Sequence, residues 1–210
     1  MPKSKSSNHW LQEHFSDSYV KRAKQDGYRS RAAYKLLEIQ ERYHLITKGK
    51  TIVDLGSSPG GWSEVAVKLV GEKGKVIALD ILPMEPITNV TFIQGDFTND
   101  DIAASLLKYT GNGLVDLVFS DMAPNISGIK CADQAKAMYL AELALDFAKQ
   151  VLKTNGAFLV KMFQGEGFEK FKQNLSQDFI TVKICKPDAS RSRSTEMYFL
   201  ASRRKSISVN

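Results

Sequence analysis

The chain has few cysteines and histidines and no long apolar run. Its two cysteines, Cys131 and Cys185, stand far apart without CxxC spacing. Neither a disulfide framework nor a zinc site is encoded, and both read as thiols of a reducing compartment. The three histidines, His9, His14 and His44, are N-terminal and unclustered, and none is assigned to catalysis. No stretch approaches the roughly 20 apolar residues that cross a bilayer, and the polar start from Met1 to His9 has no apolar segment behind it. The expectation is a cytoplasmic monomer that binds no metal and touches no membrane.

What is present is enough apolar material for one core: 43% of 210 residues are hydrophobic. The net charge of +6 is unevenly placed. Residues 1–50 hold 11 Lys or Arg against 5 Asp or Glu, whereas the remainder holds 18 of each. A basic segment on a neutral body is the electrostatic footprint expected for a polyanion, since displaced counterions favour binding without any reading of sequence. We divide the chain into a basic and partly disordered N-terminal extension (1–28), one catalytic domain (29–204) and a short C-terminal tail (205–210).

Periodicity predicts a short helix around Trp10 to Phe15, a helix from Asp17 broken at Gly27, and an amphipathic helix capped by Ser30 that carries Ala33, Leu36 and Leu37. The period then changes. Apolar or β-branched runs at 51–55, 75–79, 90–94, 115–120, 157–163, 179–184 and 197–201 read as seven strands. Helical stretches separate all but the second from the third and the last two, and the long helix at 132–153 is closed by Asn155-Gly156. No helical pattern fits between the final two strands, so that connection is expected to be a hairpin. The fold class is α/β: a Rossmann-like, mostly parallel seven-stranded sheet with helices on both faces and an antiparallel last strand.

Ligands of such sheets sit beyond the carboxyl ends of the strands, near the point where strand order reverses. Here the first strand runs into Gly56-Ser57-Ser58-Pro59-Gly60-Gly61-Trp62, and acidic residues (Asp54 or its neighbours, Asp80 and Asp96) end three successive strands. The glycines let the backbone approach a ligand, and a carboxylate ending the second strand suits ribose hydroxyls. The turn is not GxGxxG, and Pro59 offers no N–H to a pyrophosphate. An adenosine compound without phosphate and with a sulfonium, S-adenosylmethionine, fits this carboxylate-rich rim better than a dinucleotide.

Four polar residues stand where apolar runs end or a helix turns over: Lys35, Asp121, Lys161 and Glu196. Methyl transfer to oxygen is an in-line displacement, so the protein must align an acceptor hydroxyl and help it lose a proton. Lys161, inside Phe158-Leu159-Val160-Lys161-Met162-Phe163, is the candidate proton acceptor, with Lys35 as second cation and the two carboxylates orienting both. Burial and a neighbouring cation favour the amine form, whereas carboxylates favour the ammonium, and the sequence leaves that balance open.

The segments Trp10 to Asp17, Val53 to Gly56 with Pro59 to Trp62, Gln94 to Phe97, Ser120 to Asn125, Phe163 to Gly167 and Lys186-Pro187 with Ser190-Arg191 closely resemble the bacterial FtsJ/RrmJ family over roughly residues 10–204. The resemblance implies S-adenosylmethionine-dependent methylation of a uridine ribose 2′-hydroxyl in the A-loop of 23S rRNA, on the large (50S) ribosomal subunit. It places the family's catalytic tetrad on Lys35, Asp121, Lys161 and Glu196, and its donor contacts on Gly60, Trp62, Asp80, Asp96 and Asp121. The chain departs from the family's small alanine-like residues at Ser57-Ser58, a change that leaves the turn intact. Arg29 and Arg31 beside the Lys35 helix, and Arg191 and Arg193 in the last hairpin, are the candidate RNA contacts. A base methyltransferase competes, but enzymes acting on exocyclic amines usually carry an aromatic residue where this chain has Asn125. A nicotinamide dehydrogenase lacks its fingerprint and substrate domain here, and an RNA-binding assembly factor with a vestigial site has no need of an intact tetrad.

Overall fold

A computed structural model describes residues 17–111, 114–191 and 194–206. The helix expected around Trp10 to Phe15 and the candidate contact Arg193 lie outside the described residues. Helix α1 (Ser18–Asp26) starts where the Asp17 side chain accepts from the Tyr19 amide and ends at Gly27, whose left-handed backbone (φ 76°) suits glycine. It buries Val20 and Ala23, and Ala23 packs with Tyr34 and Ala189. Residues 17–28 of the expected extension therefore form part of the packed body. Helix α2 (Ala32–Tyr43) begins two residues later than its expected cap: the Ser30 hydroxyl is buried without a partner and makes no capping bond.

The remaining elements follow in the order β1 (Thr51–Leu55), α3 (Gly61–Val70), β2 (Lys75–Asp80), β3 (Val90–Gln94), α4 (Asp100–Tyr109), β4 (Val115–Ser120), α5 (Lys130–Val151), β5 (Leu152–Phe163), α6 (Phe168–Asp178), β6 (Phe179–Cys185) and β7 (Glu196–Arg204). One seven-stranded sheet results, in the order β3-β2-β1-β4-β5-β7-β6. Strands β1 to β5 pair in parallel, and β7 runs antiparallel to both β5 and β6. Strand order reverses between β1 and β4, which fixes where a ligand belongs.

The expected boundary at Asn155-Gly156 shifts. Helix α5 stops at Val151, Leu152 already pairs with Val115, and the register jumps between Val115 and Leu117 around a bend holding Asn155 at φ 66°. The apolar Leu152 fits a helical stripe as well as a strand, so periodicity alone extends the helix too far.

Alternation along the strands divides the core in two. Ile52, Val76, Leu117, Phe119, Leu159, Tyr198 and Leu200 pack against α2 and α3, while Val53, Ile77, Val118, Phe158, Val160, Met162 and Phe199 pack against α4, α5 and α6. Large fully buried side chains such as Phe119, Phe158 and Phe199 each contribute about 1.5–3 kcal/mol by leaving water. Because side chains two apart share a face, Lys161 follows Leu159, Asp121 follows Phe119, and Glu196 and Tyr198 precede Leu200 on the face covered by α2.

Candidate active site

All four residues of the sequence-derived tetrad meet on that face. Lys161 Nζ lies 3.1 Å from Asp121 Oδ1 and also donates to the Asp121 backbone carbonyl. Lys35, reaching down from α2, lies 2.6 Å from Glu196 Oε1. Antiparallel pairing sets this geometry, since Lys161 stands opposite Tyr198, and Phe163 opposite Glu196, across β5 and β7. Lys161 is only 7% exposed at its side chain, so its polar partner is Asp121 rather than water.

A fifth residue, missed by the sequence reading, joins the two pairs. The Tyr198 hydroxyl donates to Asp121 Oδ1 at 2.7 Å and accepts from Lys35 Nζ at 3.3 Å, with Glu196 Oε1 at 3.4 Å. Burial, reinforced by the Asp121 and Glu196 carboxylates, pushes this hydroxyl well above its ordinary value, so it stays protonated and donates. Burial alone would raise the Asp121 carboxyl. The Lys161 and Lys35 ammoniums and the Tyr198 hydroxyl outweigh burial and hold it below the usual range. Glu196 also accepts from Ser190 Oγ at 2.9 Å, and Glu38 on α2 holds the Asp188 and Ala189 amides at 2.6 and 3.0 Å, which fixes the β6–β7 connection against the site. The only sequence signal for Tyr198 is its i, i+2 spacing from Glu196 on one strand face.

Beside this group lie the carboxyl ends of β1 and β2. Gly56 stands at φ 80°, where an added Cβ would come within 2.8 Å of the Met122 backbone nitrogen, so the turn after β1 touches the segment after β4. Asp80 accepts the Ser58 amide on one oxygen and the Leu82 amide on the other, both at 2.8 Å, which fixes the carboxylate and leaves further lone pairs for hydroxyls. Asp96 follows Gly95, whose amide donates to the Asp80 carbonyl. Its exposed carboxylate is lowered by the Thr98 amide and then by the Thr98 hydroxyl. Trp62, the aromatic of the donor turn, is a core side chain. Its ring is buried against Phe119 and Tyr198, and its Nε1 donates to the Ala32 carbonyl at 2.8 Å. What Trp62 can offer a ligand is the backbone of the first turn of α3.

Asp54, near the carboxyl end of β1, is fully buried. Its Oδ2 accepts from Ser63 Oγ at 2.6 Å, while Oδ1 has no partner. Burial pushes its carboxyl up to about 7; the Ser63 hydroxyl opposes the rise and the Asp121 and Asp80 charges add to it. Carboxylates at three strand ends, one with an unsatisfied oxygen, and glycines that admit a close approach form a donor set suited to S-adenosylmethionine, a cation with ribose hydroxyls and no phosphate. No group of three or more His, Cys, Asp or Glu able to hold a metal occurs among the described residues, and no helix among them is long and apolar enough to cross a membrane.

The candidate RNA arginines divide. Arg31 and Arg191, with Lys35, Ser194 and Glu196, line a cavity of about 230 Å³ beside the tetrad. Both arginines reach Asp17, and Arg31 also donates to the Ala189 carbonyl. Arg29 lies elsewhere, with its guanidinium against the carbonyls of Pro59, Glu85 and Pro86 beside the donor turn.

A family model described as FtsJ-like methyltransferase matches residues 28–204. Proteins of Marinobacter nauticus and Pseudomonas aeruginosa, each named ribosomal RNA large subunit methyltransferase E, are 56% identical over 201 residues, covering 96% of this chain and 97% of theirs. A crystal structure from Plasmodium falciparum, described as a ribosomal RNA methyltransferase, superimposes with a TM-score of 0.75 at 33% identity, covering 84% of this chain and 98% of that one.

Proposed function

Because this chain belongs to the FtsJ-like methyltransferase family, we propose that it methylates the ribose 2′-hydroxyl of a uridine in the A-loop of 23S rRNA, on the large ribosomal subunit. The donor is S-adenosylmethionine, which supplies an activated methyl carbon on a sulfonium. We assign Asp80 and Asp96 to its ribose and adenine, the glycine turn and the first turn of α3 to a close backbone approach, and Asp121 to its positive charge, a reading supported by the fixed Asp80 carboxylate, the Thr98-bonded Asp96 and the lowered Asp121 carboxyl.

The single observation that carries this reading is the contact of Lys161 with Asp121 on the side of the sheet covered by Lys35. Two of the three N–H positions of Lys161 face Asp121, which aims the remaining one away from its anchor. In its amine form Lys161 would take, at Nζ, the proton the acceptor hydroxyl loses as its oxygen bonds the methyl carbon, while the carbon–sulfur bond breaks and its electron pair leaves with sulfur as a neutral thioether. Asp121 and Tyr198 keep that nitrogen in place, and the Lys35–Glu196 pair braces Tyr198 from the other side. The cavity lined by Arg31, Lys35 and Arg191 together with Ser194 and Glu196 gathers three cations beside the tetrad, and this supports an RNA phosphate there even though each cation is paired with Asp17 or Glu196. The protein acts as a cytoplasmic monomer.

Incubating the protein with unmodified large subunits and methyl-labelled S-adenosylmethionine, then locating the label by mass spectrometry, tests the reading. One labelled uridine ribose in the A-loop is expected, with no label from Lys161→Ala despite donor affinity within a fewfold of wild type. A label on a base, or normal turnover by the variant, refutes it.

A further inference from the structure

The loop between β2 and β3 (81–89) packs on the donor turn, and an arginine more than 50 residues earlier in the chain bonds to both. Arg29 lies in the short link between α1 and α2. One Nη donates to the Glu85 carbonyl at 2.6 Å and to the Pro59 carbonyl at 3.4 Å, and the other to the Pro86 carbonyl at 2.8 Å. Its own amide donates to Glu64 on α3 at 3.3 Å. The planar fork of a guanidinium matches such a fan of acceptors, and a lysine ammonium does not. Beneath it the fit is close: a Cβ on Gly60 would fall 2.8 Å from Ile87 Cδ1 and 3.0 Å from both Met84 Sδ and Arg29 Cδ. Loop and glycine turn are joined further by Ser58 Oγ donating to the Pro83 carbonyl at 3.0 Å and by the Asp80 carboxylate, which takes an amide from each side.

We propose that Arg29 is a positioning residue of the donor site, fastening the 81–89 loop onto the glycine-rich turn, and that it governs affinity for S-adenosylmethionine rather than for RNA. The inference rests on the proposed methyl-donor reading. What separates the two arginines is place: Arg31, though bonded to Asp17 and the Ala189 carbonyl, lines the cavity with Lys35 and Arg191, whereas Arg29 lies outside that lining with its guanidinium on the carbonyls of the donor turn and its loop. Residues 29–31 thus hold the donor loop with one arginine and the acceptor-side hairpin with the other.

Calorimetric titration of the full-length protein with S-adenosylmethionine, alongside RNA binding measured over a range of salt, separates the two roles. Arg29→Lys is the deciding variant, because it keeps the charge and loses the fork. The expected result is donor affinity lowered about tenfold, roughly one charge-assisted hydrogen bond. The donor KM should rise to match, with kcat at saturating donor within twofold and the salt slope of RNA binding unchanged. Arg29→Ala should show a larger loss of donor affinity with the same RNA slope. Donor affinity equal to wild type in Arg29→Lys overturns the proposal, as does weakened RNA binding with a flattened slope in Arg29→Ala. A wild-type protein that binds no S-adenosylmethionine overturns this proposal and the methyl-donor reading together, whereas a binding wild type with an unaffected variant overturns this one alone.

Discussion

Tyr198 carries one hydroxyl and serves three charged neighbours. Tyr198→Phe keeps the ring that packs on Trp62 while removing the donor to Asp121 and the acceptor for Lys35. Single-turnover methylation should slow by one to two orders of magnitude, in line with about 1.5–3 kcal/mol for a hydrogen bond to a charged group, with donor affinity little changed. In sequence Tyr198 reads as one more core aromatic. The lysines, by contrast, are visible because a charge inside an apolar run demands a partner, and Asp121 because it ends such a run. Asp54 gives a second prediction. Its carboxyl lies at about 7 in the fold against an ordinary 3.8, so between those values the native state holds a proton that the unfolded chain has released. The stability this confers is complete at the acid end and is lost as pH rises through about 7. Denaturant midpoints of Asp54→Asn should therefore gain on wild type across that window and run parallel to it above.

Strands β1 and β4 bring the donor and acceptor halves together, and one glycine governs how close they come. Gly56→Ala places a methyl group against the Met122 backbone at a left-handed position, so about 1–3 kcal/mol of stability should be lost, read as a lower denaturant midpoint. Donor affinity should fall with it. Strand positions were legible from apolar runs bounded by turn residues, and the hairpin from the missing helical pattern before β7. The start of α2 and the end of α5 were not. Ser30 looked like a cap but is buried beside Gly61, and Leu152 fitted a helical stripe until pairing with Val115 drew it into the sheet. Tertiary packing outweighs local propensity of a few tenths of a kcal/mol at both ends.

For the molecule as a whole, the surplus of positive charge in the first fifty residues is a long-range statement that the fold makes local. Of its arginines, Arg31 reaches the cavity beside the tetrad, where Arg191 arrives from a hairpin 160 residues away. Replacing both by Ala should weaken RNA binding and reduce its salt slope by about one to two, with calorimetric donor affinity unchanged. By itself the sequence determined the fold class, the seven strands, the donor turn and the four charged residues of the site, because apolar periodicity and charges in apolar settings are properties of short segments. Only the tertiary structure decided that Tyr198 joins the two ion pairs, that Trp62 is core, and that Arg29 and Arg31 face different ends of the site. Each of those depends on which carbonyl, carboxylate or ring a side chain meets across long stretches of chain, and that is set by strand register and helix packing.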